Sequence, residues 1–233
     1  MSWLSSYSSS PTISELNDVA KAAITVFKKH DLQTCVVGSL ACYHYGMNRT
    51  PADVDLIVMS RSYSQEQLKE MLVREDPRFY TVRAKNWPRD TFNVLWFRIS
   101  TSNTSYSVSK TCKIDILQPG VMNIPSVPSQ LFVQTAGLPL MPFLPLLLLK
   151  LQAWEDHGNS SKPHLQRKQT TDVTDLISLT DLIKQRRFEK EELKAKGDWT
   201  WTGTVLLSES VGRIARFKST YSTTENAWKQ IVL

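Results

Sequence analysis

The chain is poor in the residues that build disulfide frameworks and zinc sites. It has three cysteines and four histidines in 233 residues. Cys35, Cys42 and Cys112 have no metal-type spacing, and the histidines form no spaced cluster. A small, odd number of cysteines argues against a disulfide framework and favours a reducing compartment. The missing clusters argue against a zinc site.

Long apolar runs and secretion signals are also lacking. The most apolar stretch, residues 138–149, is broken by Pro139, Pro142 and Pro145 and is too short to cross a bilayer. The opening residues MSWLSSYSSS do not combine a basic start with an apolar run, as a signal peptide does. We therefore expect a cytoplasmic protein without a membrane partner. A Gly-x-x-x-x-Gly-Lys motif is absent as well, which argues against a P-loop enzyme.

The bulk composition is that of a soluble globular protein, with 41% hydrophobic and 21% charged residues. The length suits one large domain or a domain with a helical appendage. The net charge of +6 and the pI near 9.2 indicate an anionic partner such as a nucleotide or nucleic acid. Charge alone decides little, because many basic proteins bind nothing anionic.

The most informative residues are one Gly-Ser pair and three aspartates. Gly38-Ser39 precedes the acid pair of the sequence Asp53-Val54-Asp55, and Asp115 lies between two isoleucines further along the chain. Because side chains alternate across a strand, Asp53 and Asp55 share one face. Flanking isoleucines predict that Asp115 likewise points away from the core. Carboxylates gathered on one face repel each other, unless a hard divalent cation binds among them.

The periodicity of the first half predicts helices mixed with strands. The sequence predicts a flexible tail at residues 1–13 and a core domain at residues 14–120. Ser14 is the expected N-cap of the first helix. The predicted later elements are strands 34–37 and 53–59, helices 40–45 and 64–74, and strands 79–84, 92–99 and 112–117. This order indicates an α+β fold, since a doubly wound sheet needs strict alternation.

The second half, residues 121–233, is predicted to be a helical subdomain. A linker spans residues 119–128, and a polar, basic connection spans residues 158–168. The predicted helices are 142–156, 171–187, 204–217 and 224–231.

These motifs resemble the nucleotidyltransferase superfamily that includes DNA polymerase beta. The resemblance rests on VGS at 37–39, DVD at 53–55 and IDI at 114–116, and it covers about residues 14–118. Lys150, Arg167-Lys168, the 172–176 segment DVTDL and the loop around Arg49 resemble the minimal and abortive-infection branches. The implied fold is a mixed nucleotidyltransferase sheet with flanking helices and a C-terminal helical subdomain.

The resemblance also implies a site. Asp53 and Asp55 would hold two Mg²⁺ (or Mn²⁺) ions, which neutralise a nucleoside triphosphate and stabilise in-line transfer. Asp115 would complete one metal site and accept the proton of the attacking hydroxyl. Gly38 lets the backbone approach a phosphate closely, and Ser39 with the following amides can donate hydrogen bonds to it.

Several charged residues leave two interpretations open. Lys150 either contacts phosphate or extends to solvent, and Lys168 likewise binds phosphate or is solvated. Arg167 is interpreted as solvated, and Arg49 as part of a structural ion pair. Asp172 and Asp175 either cap a helix or pair with Lys150 or Lys168.

The predicted reaction is Mg²⁺-dependent transfer of a nucleoside monophosphate from an NTP to a hydroxyl acceptor, a small molecule or a protein, with release of pyrophosphate. One alternative is a non-catalytic nucleotide-binding or regulatory member of the fold. A second is an RNA-modifying enzyme, which is less favoured because the chain has no long Lys/Arg run. The acceptor pocket is expected at loop 100–110, strand 92–99 and the helical half.

Overall fold

A computed structural model describes residues 10–85, 90–99, 110–185, 187–194 and 204–233. The α-helices in these ranges are α1 (Ile13–Lys29), α2 (Gly38–His44), α3 (Gln65–Glu75), α4 (Phe143–Asn159), α5 (Pro163–Lys184), α6 (Thr204–Thr220) and α7 (Glu225–Trp228). The strands are β1 (Thr34–Val37), β2 (Asp53–Val58), β3 (Phe79–Arg83), β4 (Asn93–Ile99), β5 (Lys110–Leu117), β6 (Val133–Thr135) and β7 (Leu138–Leu140).

These elements form two compact units. The first contains the described residues up to Leu40, together with Thr50–Gln118 and Ala136–Leu138. The second contains Ala41–Arg49, Pro119–Thr135 and the described residues from Pro139 to Leu233. The predicted domain boundaries at residues 13 and 120 stay predictions.

The first unit is built on a mixed sheet in which five strands follow the order β3-β4-β5-β2-β1. Strands β2 and β5 are parallel, while the other described pairs within this unit are antiparallel. Helices α1 and α3 contact the sheet and bury the apolar stripes that their sequences predicted, including Leu16, Phe27, Leu68 and Leu72. The structure confirms an α+β fold with a mixed sheet and flanking helices.

The sheet of the first unit has one buried face and one open face. Along β5, buried residues alternate with partly exposed ones, and Cys112, Ile114 and Ile116 face the core. Along β4, Leu95 and Phe97 are buried, whereas their strand neighbours are partly or fully exposed. This period of two follows from the pleat of a strand, and it leaves Asp115 off the core face as predicted.

The second unit is helical, as expected for the C-terminal half. Helices α4 and α5 pack closely, and α6 packs on α4. Leu144 and Leu148 of α4 form a buried cluster with Leu206 of α6. The run of leucines in α4 is therefore explained by a helix that is buried on most of its circumference.

Two sequence predictions about helix starts were wrong. The N-cap of α1 is Thr12, not Ser14, and Thr12 forms a capping box with Glu15. The predicted connection at residues 158–168 is largely helical, because α5 begins at Pro163. The first residues of α5 are polar and lack apolar periodicity, so the start signal was the proline at the first helical position.

Other differences are smaller. Two short strands, β6 and β7, were not predicted, and the last predicted helix is shortened to the four-residue α7. Helix α2 begins at Gly38, two residues earlier than predicted. Most of the predicted loop 100–110 lies outside the described residues. Among the helices that the structure describes, none is long and apolar enough to span a membrane.

Candidate functional site

The three aspartates lie on two adjacent parallel strands of the first unit. Asp53 and Asp55 are on β2, and Asp115 is on β5. The pairing of these strands makes Asp55 and Asp115 direct Cα partners. Because aligned residues of neighbouring strands point to the same side of a sheet, all three carboxylates share the open face.

The geometry of the three carboxylates suits a divalent cation. One oxygen from each of Asp53, Asp55 and Asp115 lies within 4.8 Å of the other two, and all three residues are partly exposed. Hard cations such as Mg²⁺ are bound through carboxylate oxygens that leave positions open for water and phosphate. The donor set therefore fits Mg²⁺ or Mn²⁺.

A lysine that the sequence analysis did not single out lies beside these acids. Lys113 is the Cα partner of Asp53, and its ammonium group forms an ion pair with Asp115. Residues 113 and 115 lie two apart on one strand. The alternation that predicts an exposed face for Asp115 therefore predicts the same face for Lys113. A cation from the chain itself thus lies where the negative charges gather.

Two pKa shifts report the same concentration of negative charge. Burial alone lowers the pKa of Lys113, but its hydrogen bond to Asp115 and the charges of the three aspartates raise it above its ordinary value. Burial, together with the charges of Asp53 and Asp55, raises the pKa of the Cys112 thiol to about 12. The open face at this point therefore attracts cations.

Gly38 lies against the acid pair. Its φ angle is +67°, a left-handed conformation that residues with a Cβ rarely adopt. A Cβ added here would come within 1.9 Å of the Asp55 carboxylate oxygen Oδ2. The glycine is thus required by its backbone and by the closeness of Asp55. Ser39 follows in α2 and is partly exposed.

In the second unit, Asp175 is the centre of a buried ion-pair network. Its side chain is 0% exposed. Arg49 donates two hydrogen bonds of 2.6 Å to its two carboxylate oxygens, and Lys150 donates one of 2.8 Å. The predicted structural ion pair of Arg49 and the predicted pairing of Asp175 with Lys150 are both confirmed.

The network includes a second acid. Asp172 lies 2.5 Å from Nδ1 of His157 and 4.0 Å from the Lys150 ammonium. Both acids lie well inside α5 and are buried, so the alternative that they cap a helix was wrong. The alternative that Lys150 extends to solvent was also wrong, since its side chain is only 13% exposed.

The charge of Lys150 is retained in this setting. Burial alone lowers its pKa, but neighbouring negative groups, Asp175 and Asp172 among them, raise the pKa above its ordinary value. Lys168 and Arg167, by contrast, are exposed near the start of α5.

Comparison with known proteins supports the fold but assigns no activity or substrate. No protein-family model and no curated protein matches the chain. Among solved structures, an antigenic nucleotidyltransferase-like protein from Paracoccidioides brasiliensis is similar with a TM-score of 0.63 and 17% identity, over 94% of each chain.

Two further solved structures are less similar. JHP933 from Helicobacter pylori has a TM-score of 0.48 and 14% identity, over 93% of this chain and 82% of its own. Terminal uridylyl transferase 4 from Trypanosoma brucei with bound GTP has a TM-score of 0.34 and 13% identity, over 78% of this chain and 53% of its own. Of these three similarities, the first is strong enough to support a fold. It shows that this chain has the fold of that nucleotidyltransferase-like protein.

Proposed function

We propose that the chain is a Mg²⁺-dependent nucleotidyltransferase, which moves a nucleoside monophosphate from an NTP to a hydroxyl acceptor and releases pyrophosphate. The observation that carries the proposal is the convergence of Asp53, Asp55 and Asp115, whose carboxylate oxygens lie within 4.8 Å of one another on an open sheet face. Gly38 and Ser39, next to Asp55, complete the proposed site.

Each residue has a proposed role. Two divalent ions, when bound, would neutralise the triphosphate and stabilise the charge that develops during in-line transfer. Asp53 and Asp55 would hold these ions, and Asp115 would complete one ion's ligands. The Asp115 carboxylate is also the proposed acceptor of the proton from the attacking hydroxyl. Ser39 and the amides after Gly38 would orient the phosphates.

Lys150 and Lys168 stay proposed phosphate ligands of the second unit. Lys150 is charged and held by Asp175, so its ammonium is already oriented and loses little freedom on binding an anion. Lys168 is exposed and would act as a mobile point charge. Replacing each by methionine should raise the dissociation constant for NTP, with the larger effect at Lys150.

One observation favours a second candidate function, a nucleotide-binding protein without turnover. The ammonium group of Lys113 already compensates the charge of Asp115, the proposed proton acceptor. A protein cation at this position reduces the demand for a second metal ion. Incubation with each labelled NTP distinguishes the two functions, because a transferase releases pyrophosphate and a binding protein does not.

The experiment that tests the proposal replaces the acid pair. We expect Asp53→Asn with Asp55→Asn to abolish Mg²⁺-dependent NTP binding and pyrophosphate release, since both neutral amides are poor ligands for hard cations. Calorimetric titration measures the binding. Asp181→Asn is the matched control, because Asp181 is 47% exposed and pairs with a lysine one helical turn away. Unchanged Mg²⁺ and NTP affinity in the double variant would show that the proposed site is wrong.

A further inference from the structure

A histidine-carboxylate pair lies beside Lys150 in the second unit. Nδ1 of His157 is 2.5 Å from Oδ2 of Asp172, and the other oxygen of Asp172, Oδ1, is 4.0 Å from the Lys150 ammonium. The imidazole, the carboxylate and the ammonium therefore follow one another in space. We call His157, Asp172 and Lys150 the His-Asp-Lys row.

Helical spacing explains why these side chains meet. His157 and Lys150 are about two turns apart on α4, and Asp172 and Asp175 are about one turn apart on α5. Residues at such spacings share one face of a helix. Because α4 and α5 pack closely, Asp175 meets Lys150 and Asp172 meets His157.

The histidine is the end of the row that is open to solvent. The side chain of His157 is 22% exposed, whereas that of Asp172 is 8% exposed. A carboxylate only accepts hydrogen bonds, so Nδ1 of His157 carries a proton and Nε2 is the nitrogen that gains or loses the second one. Within the described ranges, the imidazole makes its hydrogen bond to Asp172 through Nδ1. Nε2 can therefore exchange its proton with water.

The proton on His157 decides the net charge of the buried network. With a neutral imidazole, the carboxylates of Asp172 and Asp175 balance the charges of Arg49 and Lys150. With an imidazolium, one positive charge is in excess, and Asp172 has a cationic partner of its own. Histidine is the side chain that ordinarily changes charge between pH 5 and 8.

Charged groups on the other elements that pack against α4 pair elsewhere. Helix α6 and the turn Lys190–Leu193 also contact α4, but Arg213 and Arg216 of α6 donate to Glu155. In the part of the chain that the structure describes, the remaining charged side chains at this end of the helices and on the turn form no ion pair with His157: Asp156, Arg167, Lys168, Lys190, Glu191 and Glu192. The charge of His157 is therefore coupled first to Asp172.

We infer that His157 is a positioning residue for phosphate binding, which acts through Asp172 on Lys150 and sets how strongly this ammonium attracts the triphosphate of an NTP. The inference rests on the proposed function, in which Lys150 is a phosphate ligand. An ammonium group has three N–H donors, and Lys150 gives one of them to Asp175. Once the imidazolium compensates Asp172, this carboxylate attracts the ammonium less and leaves more of its charge for phosphate oxygens.

Protonation and nucleotide binding are then linked. If the proton on His157 strengthens triphosphate binding, a bound triphosphate must strengthen proton binding at His157 by the same factor. NTP binding near neutral pH is therefore accompanied by uptake of a fraction of a proton at His157. The affinity for NTP rises as the pH falls through the range in which the imidazole becomes charged.

Calorimetric titration with each NTP and Mg²⁺, at about pH 8 and about pH 5.5 and at constant ionic strength, tests the inference. Between these pH values, we expect the affinity of the wild type to rise about five-fold more than that of His157→Asn, the equivalent of one partly screened charge. Asparagine keeps an N–H for Asp172 but takes up no proton. The titration of the NTP itself is the same for both proteins and cancels in the comparison.

Proton uptake provides a second readout. Titrations near neutral pH in two buffers of different ionisation enthalpy should show that the wild type takes up more protons on binding NTP than His157→Asn does. His164→Asn is the matched control, because His164 is an exposed histidine on α5 outside the row. It should keep the pH dependence and the proton uptake of the wild type.

Asp172→Asn should act in the direction opposite to a loss of structure. It removes one negative charge from the network, so at about pH 8 this variant should bind NTP about five-fold more tightly than the wild type. If Asp172 only supports the packing of α4 on α5, the variant binds NTP no better than the wild type. That result overturns the inference.

The outcomes distinguish the inference from the proposed function. Equal pH dependence and equal proton uptake in the wild type and His157→Asn, with pyrophosphate release intact, overturn the role of His157 and uphold the transferase. Unchanged NTP affinity in Lys150→Met, again with pyrophosphate release intact, does the same. A wild type that neither binds any NTP nor releases pyrophosphate with Mg²⁺ contradicts the proposed function and, with it, the inference.

Discussion

At the scale of single residues, Gly38 connects the proposed phosphate-binding turn to the acids proposed to bind metal. Gly38→Ala forces a left-handed backbone onto a residue with a Cβ, at a cost of about 1–2 kcal/mol, and it drives the methyl group into the Asp55 carboxylate. We expect the affinity for Mn²⁺ to fall by about ten-fold or more, as when a supporting contact of a metal ligand is lost. Calorimetric titration measures this change.

Gly137 provides a control that separates backbone strain from displacement of Asp55. Its φ angle is +73°, close to that of Gly38, but among the described residues a Cβ there would meet the side chain of Lys21 at an ordinary contact distance of 3.4 Å. Gly137→Ala should lower thermal stability by a similar amount and leave Mn²⁺ affinity intact. A parallel loss of metal affinity in both variants would mean that strain alone is responsible.

Replacing Lys113 should change the Mn²⁺ affinity in the opposite direction. The Lys113 ammonium pairs with Asp115 and would compete with a metal ion for that carboxylate. Lys113→Met should therefore strengthen Mn²⁺ binding by about five-fold, the equivalent of one partly screened charge. Lys113→Arg retains the charge and should bind Mn²⁺ as the wild type does. Paramagnetic resonance of Mn²⁺ measures both. Weaker binding in Lys113→Met would show that Lys113 supports the metal site instead of competing for it.

At the scale of elements, the buried network on α5 predicts a large contribution to stability. Asp175→Asn leaves Arg49 and Lys150 without their shared carboxylate, and breaking a buried pair costs about 3–5 kcal/mol. Asp181→Asn, on the same helix but exposed, should cost less than about 1 kcal/mol. Urea unfolding measures both. Similar losses in the two variants would contradict the importance of the network.

The buried network should also make the stability of the fold depend on pH. Burial raises the pKa of Asp175, but the hydrogen bonds and charges of Arg49 and Lys150 outweigh it and hold the pKa below the ordinary 3.8. Because the pKa of Asp175 is lower in the folded state, its ion pairs stabilise the fold at pH values above the ordinary pKa. This stabilisation is lost as the pH falls through the lowered pKa. The difference in stability between wild type and Asp175→Asn should therefore be constant near neutral pH and shrink below pH 3.8.

The sequence predicted those elements whose signal is periodic. Alternation along β2 and β5 placed the three aspartates on one face, and apolar spacing placed α1 and α3. It did not predict the first turns of α5, because residues such as Gln166 and Lys168 carry no apolar periodicity. It also did not predict the pairing of Trp96 with Lys113, because the register between two strands cannot be read from either strand alone.

At the scale of the whole molecule, ligand binding should raise thermal stability. A ligand that binds only the folded state at 100 times its dissociation constant adds about 2.7 kcal/mol. For a chain of this length, that is a rise of about 5–10 °C in the unfolding midpoint. We expect this rise with Mg²⁺ and NTP together and its loss in EDTA. Calorimetry of the Asp53→Asn, Asp55→Asn double variant, in which no rise is expected, is the control.

The pairing of Arg49 with Asp175 has a consequence for how the protein is made. The two residues are 126 positions apart, yet both belong to the second unit. During synthesis, the segment Ala41–Arg49 leaves the ribosome long before α5 exists, and a large loop must close before the pair forms. A fragment that starts at Pro119 would carry Asp175 and Lys150 without Arg49. The second unit can therefore complete its buried ion pairs only after both the early segment and α5 have been translated.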